Sequence, residues 1–374
     1  MESAFSSPFP FADDLGPAKV VHVHEPACGL RATLVIDNVA RGPAIGGLRM
    51  AADVSSAECA RLARAMTLKN AAAGLAHGGG KSVLVGDPRM DVEHKEHLIR
   101  AFAHALRNEQ DYIFGPDMGT NEECMAWIKD EIGRAVGLPE AAGGIPLDEL
   151  GATGWGLAAC AEVAAPACGI RLDGARIAIQ GFGAVGRHAA SFLAQKGAKL
   201  VAASDTTGTI VNEAGMDVTR LIEDKQRSGS VLDHASGQKC GVDAVIDIAC
   251  DIWIPAARPD VIREDNVGRL KARLVLQGAN IPFTEAAERA AADRGVMVVP
   301  DFIANAGGVI CAAMEYHGAT RELAFAAIAE KIRGNTRTLL SASAKGGLLP
   351  RAAAIAMATE SIQKAMSWRR YGIL

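Results

Sequence analysis

The chain has 374 residues, 49% of them hydrophobic and only 5% aromatic, with 39 Lys and Arg against 43 Asp and Glu for a net charge of −4. That apolar content with so little net charge excludes a disordered chain, and the near balance, without a long basic run, argues against nucleic acid as a partner. The length predicts two domains, because single cores stop growing near roughly 250–300 residues, and the 40 glycines suit an α/β protein with many tight turns.

In chain order, Thr33-Leu34-Val35-Ile36 reads as a strand. Ser55 and Glu58 form a capping box that opens a helix running to about residue 73. Lys81–Val85 is a short strand, 91–108 a helix with Leu98, Phe102 and Leu106 on one face, and 120–135 a further helix. Gly143-Gly144-Ile145-Pro146 is a hinge candidate. Beyond it the pattern becomes β-α-β. A helix at 153–165 precedes a strand at 176–180, a helix at 184–195 and a strand at 200–204. A helix at 217–227 and strands at 244–248 and 274–276 follow. A helix at 284–294, a strand at 296–299 and helices at 321–344 and 351–368 complete the chain. The alternation is the signature of a doubly wound parallel sheet of the Rossmann type.

None of the eight cysteines forms a C-x-x-C pair and no Cys/His cluster has zinc spacing, so no metal is expected and the thiols read as buried small residues in a reducing compartment. The segment before Lys19 carries no positive charge and no apolar core, so it does not read as a signal peptide. The most apolar stretch, 155–170, is interrupted by Glu162 and Pro166 and is too short for a bilayer. A cytoplasmic protein with no membrane partner is expected.

The strongest motif is Gly181-Phe182-Gly183-Ala184-Val185-Gly186, a G-x-G-x-x-G after a strand and opening a helix. Gly181 permits the turn, Gly183 lets a pyrophosphate approach the helix N-terminus, and Gly186 allows close packing. Asp205 ends the next strand, where an acid accepts hydrogen bonds from an adenosine ribose and disfavours a 2′-phosphate. NAD is therefore the expected cofactor, with NADP possible if neighbouring residues reverse the preference.

Gly78-Gly79-Gly80-Lys81-Ser82 ends like a phosphate-binding loop, but Leu75 stands where that loop needs glycine. Lys69 shares a helix face with Leu62 and Met66, which predicts an inward ammonium. Two inward lysines, Lys69 and Lys81, would lower each other's pKa and make a general base near neutral pH; alternatively Lys69 snorkels to solvent and Lys81 ends a surface strand. Asp117, in Phe114–Asn121, is either a functional carboxylate or a turn aspartate.

Together these pieces resemble the glutamate/leucine/phenylalanine/valine dehydrogenase family. The resemblance runs from about residue 30 to 320. It rests on Gly42–Arg49, Lys69, Gly78–Lys81, Pro116–Thr120, Ala152-Thr153-Gly154, the Gly181 loop, Ile254–Ala257, Gly278-Ala279-Asn280 and Ala304–Gly308. It implies reversible NAD(P)-dependent deamination of an L-amino acid to a 2-oxo acid and ammonia. By position, Lys69 would bind the substrate α-carboxylate, Lys81 activate water and Asp117 shuttle protons, with Gly46 and Gly47 close to substrate. Thr153, Asn280 and Asn305 would orient the nicotinamide half. Thr206, Ala249 and Cys250 would join the Gly181–Gly186 loop and Asp205 around the cofactor.

The resemblance further implies a catalytic and oligomerisation domain over 1–147, a nucleotide domain over 148–335, and helices of 336–374 returning to the first. It places the active site in the cleft between them and implies a homo-oligomer. Ile45 stands where glutamate-specific members carry a lysine, and Ala312 where they carry a serine. The loss of both polar partners predicts an apolar substrate side chain, of leucine, valine or phenylalanine type, in a pocket of Ile45, Met66 and Ala312. Against this, Pro116-Asp117, Met125-Ala126-Trp127, Ser204-Asp205 and Gly278-Ala279-Asn280 look like the glutamate branch. Glutamate dehydrogenase is the alternative, and a non-catalytic nucleotide-binding paralogue a second one.

Overall fold

The computed structural model describes residues 11–369; the first ten residues, over which part of the signal-peptide reading falls, lie outside them. The chain divides into two compact units, at Pro146/Leu147 in its first crossing.

Unit 1 is built from β1 (Lys19–Glu25), β2 (Leu30–Asn38), β3 (Ala44–Ala51), α1 (Ser56–Ala72), β4 (Gly78–Val85), α2 (Val92–Ala105), β5 (Tyr112–Pro116) and α3 (Glu122–Ile132). The sheet order is β1-β2-β4-β3-β5, with β1 and β2 antiparallel to their neighbours and β4, β3 and β5 mutually parallel. Strand alternation splits the side chains between two layers. Leu34, Ile36, Leu48, Met50, Tyr112 and Phe114 face α2 and α3 in the main core. Val35 and Val83 point the other way and meet Cys59, Ala60 and Ala63 of α1. Ser55 caps α1, its side chain accepting from the Glu58 amide, as the sequence predicts.

Unit 2 contains α4 (Leu147–Leu150), α5 (Ala152–Ala167), β6 (Arg176–Gln180), α6 (Ala184–Ala194), β7 (Lys199–Ser204), β8 (Thr209–Val211), α7 (Val218–Ser228) and β9 (Gln238–Cys240). It continues with β10 (Ile252–Pro255), β11 (Leu274–Leu276), α8 (Glu285–Asp293), β12 (Met297–Val299) and α9 (Asp301–Ala304). The sheet order is β12-β11-β10-β6-β7-β8-β9, parallel except for β8 and β9. Strand order reverses between β6 and β10, the switch point at whose carboxyl ends such sheets bind ligands. Three helices follow: α10 (Gly307–Tyr316), α11 (Arg321–Gly346) and α12 (Pro350–Trp368).

Two expectations need revision. The strand at 244–248 is a 3-10 turn over Val242–Asp247, and the strand of that region is β10. Val245 and Ile246 are adjacent and both buried, a pattern that a pleated strand beside solvent does not produce. The Trp253 indole donates to the Val245 carbonyl (3.1 Å), which closes the turn under β10. Secondly, of the residues assigned to returning helices, those up to Met357 remain in unit 2. Ile332 fills the space left by Gly156, the Arg333 guanidinium donates to Glu162, and Arg351 pairs with Glu288 and Asp301 at 2.8–2.9 Å. The portion from Ala358 onward and Ala312–Arg321 join unit 1. There Glu315 accepts from the Gly137, Leu138 and Ile145 amides at 2.8, 3.2 and 2.9 Å.

Among the described residues no helix is long and apolar enough to cross a membrane. All eight cysteines are free, but Cys28, Cys168 and Cys240 are only half-buried rather than in the core.

Candidate active site

The site in unit 1 follows from two parallel strands and one pleat. β3 and β4 pair with Ile45 opposite Gly79 and Leu48 opposite Ser82, which sets Gly47 beside Lys81. Ile45, Gly47 and Arg49 on β3, and Gly79, Lys81 and Val83 on β4, therefore share the face toward α1. The three glycines of β4 are extended backbone, not a phosphate loop. A Cβ on Gly78 would lie 1.8 Å from the Asn38 carbonyl oxygen, and one on Gly79 would lie 1.9 Å from the Thr67 amide nitrogen. The glycines thus draw β4 against β2 and α1 and carry Lys81 inward, to 6% exposure.

The Lys81 ammonium makes a close ion pair with Asp117, which lies one residue beyond β5. The same carboxylate oxygen accepts from Arg49 Nε at 3.1 Å, and Arg49 reaches on to Glu58 at 2.5 Å. Burial opposes ionisation of Asp117, but Lys81 and then Arg49 outweigh it and hold the carboxyl below its usual range. Thr120 fastens the turn: its hydroxyl accepts from the Asp117 amide (3.0 Å) and donates to the Leu48 carbonyl (2.8 Å). Gly47 has no room for a side chain. A Cβ there would meet Asp117 Cβ at 2.8 Å and Lys81 Nζ at 3.0 Å. Gly46 is held from the opposite face by Tyr112, whose hydroxyl donates to its carbonyl at 2.8 Å.

Lys69 stands on the flank of α1 beside its fully buried stripe. Leu62, Met66 and Lys69 are half-buried, while the fully buried stripe of α1 is Cys59, Ala63, Thr67 and Asn70. The close approach of the glycine strand admits only small residues on the contacting face, so the larger ones lie along its flank. Ile45 and Ala312 are buried at 3% and 8%. Asn70 donates to the Ile45 and Gly78 carbonyls at 3.3 and 2.7 Å, and its Oδ1 is buried with no partner among the described residues.

In unit 2 the Gly181–Gly186 loop has the geometry that a pyrophosphate needs. Gly181 adopts φ +88°, and its Cβ would lie 2.8 Å from Ala257, just past β10. Gly186 lies under Gly181, where a Cβ would come 2.0 Å from the carbonyl oxygen. Around the Cβ position of Gly183, the N-cap of α6, nothing lies within 4 Å. A cradle open at that one glycine and closed at the other two fits a phosphate group against a helix N-terminus. Phe182 is buried in the core, while Gly183 and Ala184 are exposed and Val185 half-buried. Asn305 donates to the Gly278 and Ala279 carbonyls and to Asn280 Oδ1 at 3.2, 3.3 and 3.0 Å, which shapes the loop after β11. Thr153 stands in the first turn of α5, with Oγ1 3.3 Å from the Cβ position of Gly308.

Ala249 and Cys250 are a correction. They precede β10, so they lie at the amino end of the parallel sheet, opposite the edge that carries the Gly181 loop. Cys250 is buried and its thiol is pushed up to about 12, chiefly by burial. The error descends from the misplaced strand: had 244–248 been a strand, these residues would have stood at its carboxyl end. Ala256 and Ala257 occupy that position instead. Arg49 was present in the motif but not singled out; its signal was the β3 alternation that puts it on the Gly47 face.

A family model described as Glutamate/Leucine/Phenylalanine/Valine dehydrogenase matches residues 143–370, and that of the Glu/Leu/Phe/Val dehydrogenase dimerisation domain matches 17–134. The chain belongs to the Glu/Leu/Phe/Val dehydrogenase family. Its reaction is that of an amino-acid dehydrogenase, an NAD(P)-dependent oxidoreductase acting on CH–NH2. The NADP(+)-dependent glutamate dehydrogenase of Pyrobaculum calidifontis is 41% identical over 297 residues, covering 75% of this chain and 70% of that one. The glutamate dehydrogenase of Aeropyrum pernix is 35% identical over 357 residues, 89% and 85% of the two chains. The crystal structure of a hetero-hexameric glutamate dehydrogenase from Thermus thermophilus, in its Leu-bound form, superposes with a TM-score of 0.85 at 27% identity over 96% and 91%. The dimerisation-domain match and this hexameric relative support oligomerisation of the family fold.

Proposed function

We infer that this dehydrogenase oxidises an L-amino acid through Lys81 and Asp117, with Lys69 binding the α-carboxylate. The observation that carries the reading is the buried Lys81–Asp117 ion pair beneath the side-chain-free Gly47. A bound nicotinamide supplies the hydride acceptor, and the Gly181–Gly186 loop, Thr153, Asn280 and Asn305 hold that cofactor. Loss of hydride from the substrate α-carbon leaves an iminium carbon open to water. Asp117 first accepts a proton from the substrate ammonium. Lys81, as the free amine once its own proton has passed to solvent, takes a proton from that water. Asp117 returns the proton it took to the departing nitrogen, so ammonia and a 2-oxo acid result with one net proton left on Lys81. Burial of Lys81 excludes bulk solvent from the reacting atoms.

Glutamate is the substrate that the two curated relatives described above favour, since both are glutamate dehydrogenases, 41% and 35% identical to this chain. A second reading, an apolar side chain, is favoured by Ile45 and Ala312, which are buried and offer a carboxylate no polar partner. A panel of L-amino acids with NAD and NADP, followed by absorbance of the reduced nicotinamide, separates them. Turnover confined to glutamate supports the first reading, and turnover of leucine, valine or phenylalanine without glutamate supports the second. No turnover on any amino acid overturns both. We read the assembly as a homo-oligomer acting in the cytoplasm, a reading supported by the match to the dimerisation domain over 17–134.

A further inference from the structure

Around Arg351, in the first turn of α12, four side chains of unit 2 close a buried polar network. Arg351 Nε donates to both Glu288 oxygens at 2.9 and 2.8 Å, and its Nη2 donates to Gln277 Oε1 at 2.8 Å and Asp301 Oδ1 at 2.9 Å. Gln277 in turn donates to Glu288 at 2.7 Å and accepts from the Asp301 amide at 3.0 Å. The Glu288 and Asp301 side chains are 7% and 9% exposed, so one guanidinium holds two carboxylates that burial alone would penalise.

The network ends on a strained backbone. Asp301 Oδ2 accepts from the Ile281 N–H at 2.9 Å. Ile281 has φ +48°, a left-handed conformation that a β-branched residue avoids, and it is 49% exposed. Side-chain packing therefore does not offset the strain. Main-chain bonds do: the one to Asp301, and one at the Ile281 carbonyl, which accepts from the Asp260 amide at 2.9 Å. Gln277 and Ile281 bracket Gly278-Ala279-Asn280. The Asn305 amide donates to the Asp301 carbonyl at 2.7 Å, and the Asn305 side chain to Asn280 Oδ1 at 3.0 Å. Both asparagines read as holding the nicotinamide half are thus anchored to residues that Arg351 orients. We propose that Arg351 is the positioning residue of the nicotinamide loop: through Asp301 and Gln277 it holds Ile281 left-handed and Asn280 in place. This rests on the reading of Asn280 as a nicotinamide ligand.

The test is calorimetric titration of the full-length protein with NADPH and NADH, and with 2′-phospho-ADP-ribose and ADP-ribose, which lack only the nicotinamide. Arg351→Lys keeps the charge but cannot serve two carboxylates and Gln277 in the same fork geometry. It should weaken the dinucleotides at least ~10-fold and their nicotinamide-free counterparts less than ~3-fold, whereas a merely structural role would weaken all four alike. Arg351→Lys/Ile281→Gly should recover part of the loss, because glycine adopts a positive φ without being held there. Should Arg351→Lys not fold, Asp301→Asn decides by the same comparison, since its single oxygen can accept from Ile281 or from Arg351 but not from both. Equal losses for all four ligands, or no loss, overturn the role of Arg351. Asn280→Ala separates that failure from a failure of the reading beneath it. A selective loss of dinucleotide in Asn280→Ala without one in Arg351→Lys overturns the role of Arg351 alone. No selective loss in Asn280→Ala overturns the nicotinamide reading of the loop and this inference with it.

Discussion

Lys81 sits beneath Gly47, where even a methyl group would lie 3.0 Å from its Nζ, with Asp117 as its counter-charge. An ammonium at 6% exposure is tolerable only because that carboxylate balances it. Lys81→Ala and Asp117→Asn should each lower kcat by about 10²–10⁴-fold, the usual span of a general acid–base group. NADPH affinity should be unchanged in both, since the Gly181 loop lies in the other unit. Asp117→Asn also leaves Lys81 without its anion, and removing one partner of a buried pair costs about 3–5 kcal/mol, so calorimetry should show a lower Tm. A purely structural pair would lower Tm and leave kcat per folded molecule intact.

Asp205 carries the pH dependence at this scale. Burial opposes its ionisation, but Lys225, Thr207 and Val231 outweigh it and bring its pKa from 3.8 to about 2. A carboxyl whose pKa is depressed on folding stabilises the fold above its unfolded value and loses that contribution as pH falls through the folded one. The wild-type advantage over Asp205→Asn in urea midpoint should therefore be constant at neutral pH and shrink between about pH 4 and 2. A constant difference over that range would contradict the ion-pair assignment.

At the scale of elements, glycines do two different jobs, and substitution separates them. Gly183→Ala meets nothing within 4 Å and has φ −84°, so thermal stability should hold while NADPH binding weakens about tenfold or more. Gly186→Ala drives a Cβ to 2.0 Å from the Gly181 carbonyl oxygen and Gly79→Ala one to 1.9 Å from the Thr67 amide nitrogen. Both should cost about 1–3 kcal/mol or more, by urea unfolding. If Gly183→Ala lowers Tm as much as Gly186→Ala does, the open cradle is not there.

Much of this was legible from residues alone. The Ser55 cap, the strand at 176–180 and the glycine loop were readable because each signal is local. β3, β5, β8 and β9 were not, since they are short or glycine-bearing, and β1, whose only partly buried side chains are Val21 and Val23, was missed because it lies largely exposed at the sheet edge. Lys81 was placed at the head of its strand because three glycines look like a turn; they are strand because β2 and α1 leave no room for side chains. The displaced strand at 244–248 carried Ala249 and Cys250 to the wrong edge with it. Asp205 was placed correctly at the end of β7, but its saturation by Lys225 and Val231 is a long-range fact that no motif encodes.

At the scale of the whole molecule, the Lys81–Asp117 pair belongs to unit 1 and the Gly181–Gly186 loop to unit 2, each assembled by its own sheet. The chain leaves unit 2 at Ala312, returns at Glu322 and leaves again at Ala358, so unit 1 is completed by three separate stretches. Truncation before Ala358 should therefore damage unit 1, where Arg41 donates to Ser361 of that last stretch at 2.5 Å, and abolish turnover even with Lys81 and Asp117 intact. In light scattering the intact protein should exceed the 38.9 kDa of one chain, consistent with the match to a dimerisation domain over 17–134.

The most direct measurement follows the hydrogen on the substrate α-carbon. α-Deuterated L-glutamate and L-leucine are each incubated with NADP and with NAD, using wild type and Lys81→Ala, and the reduced dinucleotide is weighed by mass spectrometry. Deuterium should appear in the reduced nicotinamide with at least one of the two amino acids, at a rate that Lys81→Ala cuts by about 10²–10⁴-fold. Reduced dinucleotide without deuterium, or label transfer as fast in Lys81→Ala as in wild type, would contradict amino-acid oxidation through the Lys81–Asp117 pair.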